Sequence, residues 1–234
     1  MLLPVSDPVA FARSMKEAEV ITTDDGSRSI YLPALQEQYH SRFGALAESV
    51  HIYINCGLLA VPDREISIFE LGFGTGLNTL LTLKEASNKA LQVRYTSIEL
   101  YPLTEEMYTA LDHASILNFH DNHSIKTVLT CRWNAWESIT PYFSLKKLSA
   151  DLLEYRFEEN FHLVYFDAFA PAVQPALWTT SLFSRIYGAM FPGGILVTYS
   201  SQSQVQRNLR EAGFRVTKLP GPPGKREIIR AIKP

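Results

Sequence analysis

The sequence predicts an α/β fold: a mostly parallel, twisted sheet with helices on both faces. Three observations carry that reading. Ile66–Leu71 is a short apolar, β-favouring run; three glycines at alternate positions follow it (Gly72, Gly74, Gly76), and a leucine-rich helical stretch starts at Leu77. Strand-like runs recur at Val93–Ile98, Ile125–Thr130, Phe161–Phe166 and Ile195–Tyr199, with helical patterns between most of them. The length of 234 residues, with 46% hydrophobic and 20% charged, suits one domain with a proper core and an extension.

The glycine turn is the natural place for a nucleotide-like ligand. Glycine admits positive φ and close approach, and the first turn of the following helix offers unpaired N–H groups. A dinucleotide fingerprint asks for G-x-G-x-x-G with a small last residue. Here the spacing is G-x-G-x-G and Leu77 stands next, which disfavours a nicotinamide oxidoreductase. Glu70 precedes the turn, where an acid would repel a pyrophosphate but tolerate a ligand bearing an ammonium and a sulfonium. E-x-G-x-G-x-G is the pattern of S-adenosylmethionine-dependent methyltransferases, so S-adenosyl-L-methionine is the expected cofactor. Asn78, in the first helical turn, joins Glu70 and the glycines as a cofactor-binding candidate. Glu99 ends the next strand, 23 residues beyond Gly76, about where an acid takes ribose hydroxyls.

Composition narrows the class. No apolar run is long enough to span a membrane, and the N-terminus MLLPVSDPVAFARS lacks the apolar core of a signal peptide. Cys56 and Cys131 make no disulfide framework, and the six histidines are scattered. A cytoplasmic protein without a metal site is expected. Net charge is −2, yet Ser201–Pro234 holds eight Lys/Arg against two Glu. That asymmetry suits an anionic partner such as RNA, or an ordinary solvated face.

In chain order, residues 1–60 are expected to form an extension packed on a core domain of residues 61–234. Asp25-Gly26 marks a hairpin between two β-favouring runs, and Tyr31–Leu59 reads as helical, closed by Cys56-Gly57. Pro102 opens a helix to about Phe119, and Ile125–Thr130 is read as the third strand. The loop CRWNAWESIT follows, with Asn134 and Trp136 placed to meet an adenine; Phe143–Glu159 reads as an inserted hairpin or irregular segment. Phe161–Phe166 is a buried strand delivering Asp167, followed by a helix from Pro175 to Met190 and a Pro192–Gly194 turn. Ser203–Ala212 reads as a helix capped by Gly213, and two β-like runs then flank the loop PGPPGKR.

ELGFGTGLNTLL, the ELYPL run at Glu99, FDAFAP with PALWT, FPGGILVTYSS and LREAGF…GPPGKREIIRA resemble, in order and spacing, the methyltransferase domain of the MnmC family. The likeness runs from about Thr23 to Ala231. It implies a Rossmann-like class I methyltransferase. The implied reaction is methyl transfer from S-adenosylmethionine to the exocyclic amine of 5-aminomethyl-(2-thio)uridine at the tRNA wobble position. Members are usually bifunctional, with a flavin-dependent oxidase domain; this sequence, ending three residues after Ala231, is expected to be the free-standing form without it.

The chemistry assigns further candidates. An alkylamine near pKa ~10.4 costs roughly 4–5 kcal/mol to deprotonate at pH 7. Asp167, at the sheet edge, is the candidate to orient the amine and take its proton, and also a cofactor contact. Phe169 and Trp178 are candidates to stack on the wobble base, and Lys225 and Arg226 to hold phosphates or close over the cofactor, with Glu227 pairing one of them. Tyr31, Tyr39 and His40 are candidates for the acceptor mouth. Two alternatives stay open: methylation of a free small amine, and a non-catalytic RNA-binding adapter. Oligomeric state is not legible.

Overall fold

The computed structural model describes residues 14, 15, 17–119 and 121–234. Strands β1 (Glu19–Thr22), β2 (Arg28–Leu32) and β3 (Glu37–Gln38) form a small antiparallel sheet, and Thr23–Ser27 makes the turn between the first two. Asp25 and Ser27 then cap the next helix from outside its own sequence. Ala45 and Leu46 donate to Ser27 Oγ, and Ala47 donates to Asp25 Oδ2 at 2.9 Å. The helical region is therefore shorter than Tyr31–Leu59. It begins at α1 (Ala45–Ser49), continues as a π-helix over Val50–Asn55, and ends in a 3₁₀ turn, Leu58–Ala60. The span 31–44 follows β-hairpin and loop geometry instead, because its backbone groups pair across β2 and β3.

The main sheet contains β4 (Glu65–Leu71), β5 (Gln92–Glu99), β6 (Trp136–Thr140), β7 (Phe143–Ser149), β8 (Phe161–Phe166), β9 (Met190–Thr198), β10 (Arg215–Pro220) and β11 (Glu227–Ile232). Its order is β10-β11-β9-β8-β4-β5-β7-β6. The five central strands, β9-β8-β4-β5-β7, run parallel, and antiparallel strands close both edges. Crossovers are made by α2 (Leu77–Lys89), by α3 (Glu105–Leu111), α4 (His113–Leu117) and α5 (Asn122–Thr130), and by α6 (Thr180–Gly188); α7 (Ser203–Glu211) precedes the final hairpin. Buried aliphatic and aromatic side chains cover both sheet faces in two clusters. Ile30, Leu32 and Ile52 of the first 60 residues belong to the same cluster as Ile66, Ile68 and Leu80.

The largest correction concerns the third parallel strand. Ile125–Thr130 lies in helix α5, and Phe143–Ser149 supplies the strand beside β5. Asp121 caps α5 by accepting from the Ser124 N–H, and Ser124, Ile125 and Val128 bury the helical spacing i, i+1, i+4. The proposed helix over 102–119 is divided at Asp112, whose φ is 48°. Pro192–Gly194, expected as a turn between a helix and the strand from Ile195, sits within β9, where the register with β8 shifts between Phe161 and Leu163.

Chain order runs outward from β4 through β5 to β7, then returns to β8 and continues to β9 on the other side. The crevice where this order reverses, at the carboxyl ends of β4 and β8, is the ligand position of open α/β sheets.

Candidate active site

Two backbone bonds fix that crevice. Gly72 N–H donates to the Ile98 carbonyl at 3.0 Å, and Asp167 N–H donates to the Leu71 carbonyl at 3.2 Å. Gly72 has φ 86°, and a Cβ built there would stand 2.9 Å from the Asp167 carbonyl oxygen. Only glycine lets the β4 turn pass this close to the β8 end. Gly74 N–H donates to Glu99 Oε2 at 3.1 Å, while Tyr101 N–H donates to Glu99 Oε1 at 2.9 Å. Glu99 thus holds the turn through both of its oxygens, and acceptor capacity remains on them. Burial raises its pKa, against the lowering by those backbone donors.

The crevice opens into a cavity of about 540 Å³. Leu71–Thr75 and Asn78 form one wall; Ile98–Tyr101 and Ala150–Leu153 form the second; Asp167–Ala170 and Gln174 form the third. The extension contributes the span 37–41 and Glu48, and Tyr199 and Lys225 complete the lining.

Asp167 stands between the cofactor-type and extension-facing walls. Asn78 Nδ2 donates to its Oδ2 at 2.9 Å. Burial lifts its pKa to about 6, opposed by hydrogen bonding to Tyr53 and Asn78 and by Lys225, and helped by Glu48. A carboxyl titrating there is a base at neutral pH that gains a proton readily. Tyr39 meets Phe169 edge to face at 5.3 Å between centroids. His40 is buried against Ser29 at 3.0 Å, and burial holds it neutral, with a pKa down at about 4.

Of the residues proposed from sequence, Gly72, Gly74, Asn78, Glu99, Asp167, Tyr39, His40, Phe169 and Lys225 line this cavity. The others lie elsewhere. Asn134 is exposed beside the last residues of β7, where its Oδ1 accepts from Ser149 N–H, and Trp136 is on the edge strand under the Arg94 guanidinium, 3.9 Å from the ring centroid. Neither lines the cavity, because the strand they were placed behind is a helix. Gly76 turns away against Phe73 and Leu129. Tyr31 sits in β2 between Glu19 and Gln38. Arg226 points to solvent, and Glu227 pairs with Lys218 at 2.9 Å rather than with Lys225 or Arg226.

Glu70 and Trp178 are buried supports. Thr79 Oγ1 and Ser97 Oγ donate to Glu70 Oε2 at 3.0 and 2.7 Å, tying α2 and β5 to β4 beneath the turn. Burial raises Glu70 to about 8 despite those donors. The folded chain therefore keeps a proton that the unfolded chain releases near pH 4.5, and stability falls as pH rises between those values. Glu70→Gln is expected to flatten that decline, by up to a few kcal/mol at pH 8, in denaturant titrations repeated from pH 5 to 9. Trp178 is 3% exposed, packs edge to face on Phe166 and donates its indole N–H to the Phe169 carbonyl at 2.9 Å. It shapes the Asp167–Phe169 loop from behind and cannot stack on a base. Trp178→Ala should cost about 3–5 kcal/mol in urea unfolding, and Trp178→Phe about 1–3.

Sequence reading missed Glu48, Asp151, Gln174, Tyr53 and Tyr199. Asp151 was missed together with β7, the strand it follows. Glu48 had none, because its partner Lys225 is far along the chain.

S-adenosylmethionine fits this set. The glycine turn leaves room for a ligand at backbone distance, Glu99 retains acceptor capacity, and Asn78 Oδ1 is buried with no hydrogen-bond partner among the described residues. Known proteins agree. The family described as S-adenosyl-L-methionine-dependent methyltransferase matches residues 143–234. The tRNA 5-methylaminomethyl-2-thiouridine biosynthesis bifunctional protein MnmC of Stutzerimonas stutzeri is 33% identical over 207 residues, covering 82% of this chain and 31% of that protein. The protein of the same name from Burkholderia mallei is 28% identical over 231 residues, covering 91% of this chain and 35% of its own length. The chain thus spans about a third of the length of these curated relatives. The crystal structure of MNMC2 from Aquifex aeolicus superposes with a TM-score of 0.72 at 25% identity, covering 99% of this chain and 78% of that one. Spermidine synthase from Thermotoga maritima shares the fold alone, with a TM-score of 0.58 at 14% identity, covering 92% of this chain and 68% of that one.

The chain is similar to the S-adenosyl-L-methionine-dependent methyltransferases, with a Rossmann-like sheet and a site that fits S-adenosyl-L-methionine. Within that class it is a relative of the MnmC proteins. Among the described residues, no helix is long and apolar enough to cross a membrane, and no group of three or more His, Cys, Asp or Glu is placed to hold a metal ion.

Proposed function

We propose that this chain methylates the exocyclic amine of 5-aminomethyl-(2-thio)uridine at the tRNA wobble position, giving 5-methylaminomethyl-(2-thio)uridine. The observation that carries the reading is the half-buried Asp167, anchored by Asn78 and set where the cofactor wall meets the extension-facing wall. The likeness to proteins of tRNA 5-methylaminomethyl-2-thiouridine biosynthesis supports the substrate. A tRNA substrate also places the reaction in the cytoplasm.

In this reading residues 1–60 form an acceptor-side extension on a methyltransferase domain of residues 61–234. S-adenosylmethionine supplies an electrophilic methyl on a sulfonium. Gly72, Gly74 and Asn78 hold the cofactor, and Glu99 takes the ribose hydroxyls with its spare lone pairs. The protonated amine enters from the side of Tyr39 and His40. Neutral His40 adds no repelling charge, and the edge-to-face pair of Tyr39 and Phe169 limits the width of the mouth. Asp167 orients the amine and accepts or relays its proton, so that a free lone pair faces the methyl carbon.

Part of the basic tail is consumed internally. Lys218 pairs with Glu227, and Lys233 donates to the Tyr187 and Met190 carbonyls at 2.8 and 2.7 Å. The exposed Arg207, Arg210, Arg215 and Arg226 remain to meet phosphates. Purified protein with labelled S-adenosylmethionine should transfer label to tRNA from cells blocked before this step and not to polyamines. Label in polyamines alone would favour a free-amine methyltransferase.

A further inference from the structure

The cavity lining is acidic. Glu37, Glu48, Glu99, Asp151 and Asp167 face it, against Lys225 as its cation among the described residues. Lys225 is seated in a particular way. Its Nζ lies 2.9 Å from Glu48 Oε1 and 4.2 Å from the centre of the Tyr199 ring. Glu48 is itself fixed, since Ser41 N–H donates to its Oε2 at 2.9 Å and its side chain is only 10% exposed. Tyr199 is fixed by its hydroxyl, which donates to the Ala168 carbonyl at 2.8 Å, next to Asp167. One carboxylate and one aromatic face, both held from behind, make a seat for an ammonium group.

The seat and Asp167 share the cavity. After burial, the influences on Asp167 include Glu48, which raises its pKa, and Lys225, which lowers it. An acceptor amine approaching Asp167 as an alkylammonium therefore passes Glu48, whose carboxylate is already paired with the ammonium of Lys225.

We infer that Glu48 and the Tyr199 ring recognise the acceptor's ammonium group, and that Lys225 holds their place until the acceptor displaces it. The inference rests on the amine-acceptor reading above. Exchange of one ammonium for another keeps Glu48 paired throughout, which avoids the cost of leaving a largely buried carboxylate alone. A pyrimidine without the amine has nothing to offer in exchange, so Glu48 discriminates by charge while Asp167 handles the proton. Glu48 acts here as a specificity-determining residue on an N-terminal helix outside the nucleotide-binding unit.

The test is binding of two phosphate-free probes, 5-aminomethyluridine and uridine nucleosides, by calorimetry in wild type, Glu48→Gln and Lys225→Met. Gln keeps an oxygen for the Ser41 N–H, and melting curves check that both variants fold. Glu48→Gln should weaken the aminomethyl nucleoside tenfold or more, while Lys225→Met should tighten it threefold or more. Uridine should respond to neither. If the pair is only a latch between α1 and the β10–β11 loop, both substitutions will shift binding in the same direction, and the inference fails. It also fails if the two nucleosides respond alike. The nucleosides carry no tRNA, so opposite shifts for the aminomethyl probe combined with absent tRNA methylation would keep the amine seat and reject the tRNA substrate.

Discussion

Asp167→Asn should reduce kcat by on the order of a thousandfold while leaving S-adenosylmethionine affinity within about tenfold, the size expected when a positioned proton acceptor is removed. Asn is isosteric, and its carbonyl oxygen can still accept from Asn78 Nδ2, which now donates to the carboxylate at 2.9 Å. What disappears is the negative charge and the ability to bind a proton. The wild-type pH profile carries the same signature. Burial places Asp167 at about 6, so kcat/KM should rise as pH increases through that value, because the carboxylate form is the active one. The Asn variant should lack that limb. Stopped-flow methyl transfer at fixed saturating cofactor, from pH 5 to 8.5, measures both effects.

The second large effect is on the cofactor. Gly72→Ala should lower S-adenosylmethionine affinity by a hundredfold or more. At φ 86° a side chain costs about 1–2 kcal/mol in backbone strain alone. The added methyl would also stand 2.9 Å from the Asp167 carbonyl, which is backbone and cannot swing aside. The turn must shift, taking with it the Gly74 N–H that orients Glu99. Calorimetric titration with S-adenosylmethionine reads the loss directly. Gly188→Ala serves as the control, since no atom lies within 4 Å of a Cβ built there.

The strands buried on both faces were legible because parallel core strands read as continuous apolar runs; β4, β5, β8 and the second half of β9 appear in their expected places, whereas Met190–Gly194 reads in the sequence as a helix end and a turn. The glycine turn, Glu99 and Asp167 followed, since they are adjacent in sequence to those strands. β7 was hidden by its own Lys147. That side chain is fully buried in FSLKKLS, with its ammonium donating to the Leu129 carbonyl at 2.9 Å and lying 5.0 and 4.9 Å from the ring centres of Phe73 and Trp133. A buried lysine looks like surface in any hydropathy pattern. The β-branched run IKTVLT meanwhile looked like the missing strand, although the Asp121 cap and the neighbouring sheet make it helical. Misplacing that one strand carried Asn134 and Trp136 into a site they do not touch. Glu48 escaped for a different reason: its role depends on a pair between residues 48 and 225, and such long-range pairs leave no local pattern.

Nucleoside mass spectrometry tests the central claim most directly. The full chain is incubated with S-adenosylmethionine and tRNA that carries 5-aminomethyluridine at the wobble position, and the digested nucleosides are compared with those from the Asp167→Asn reaction. The account predicts conversion to 5-methylaminomethyluridine by the wild type and negligible conversion by the variant. Bound S-adenosylmethionine with unchanged aminomethyluridine would contradict the proposed acceptor, and equal conversion by both proteins would contradict the role assigned to Asp167.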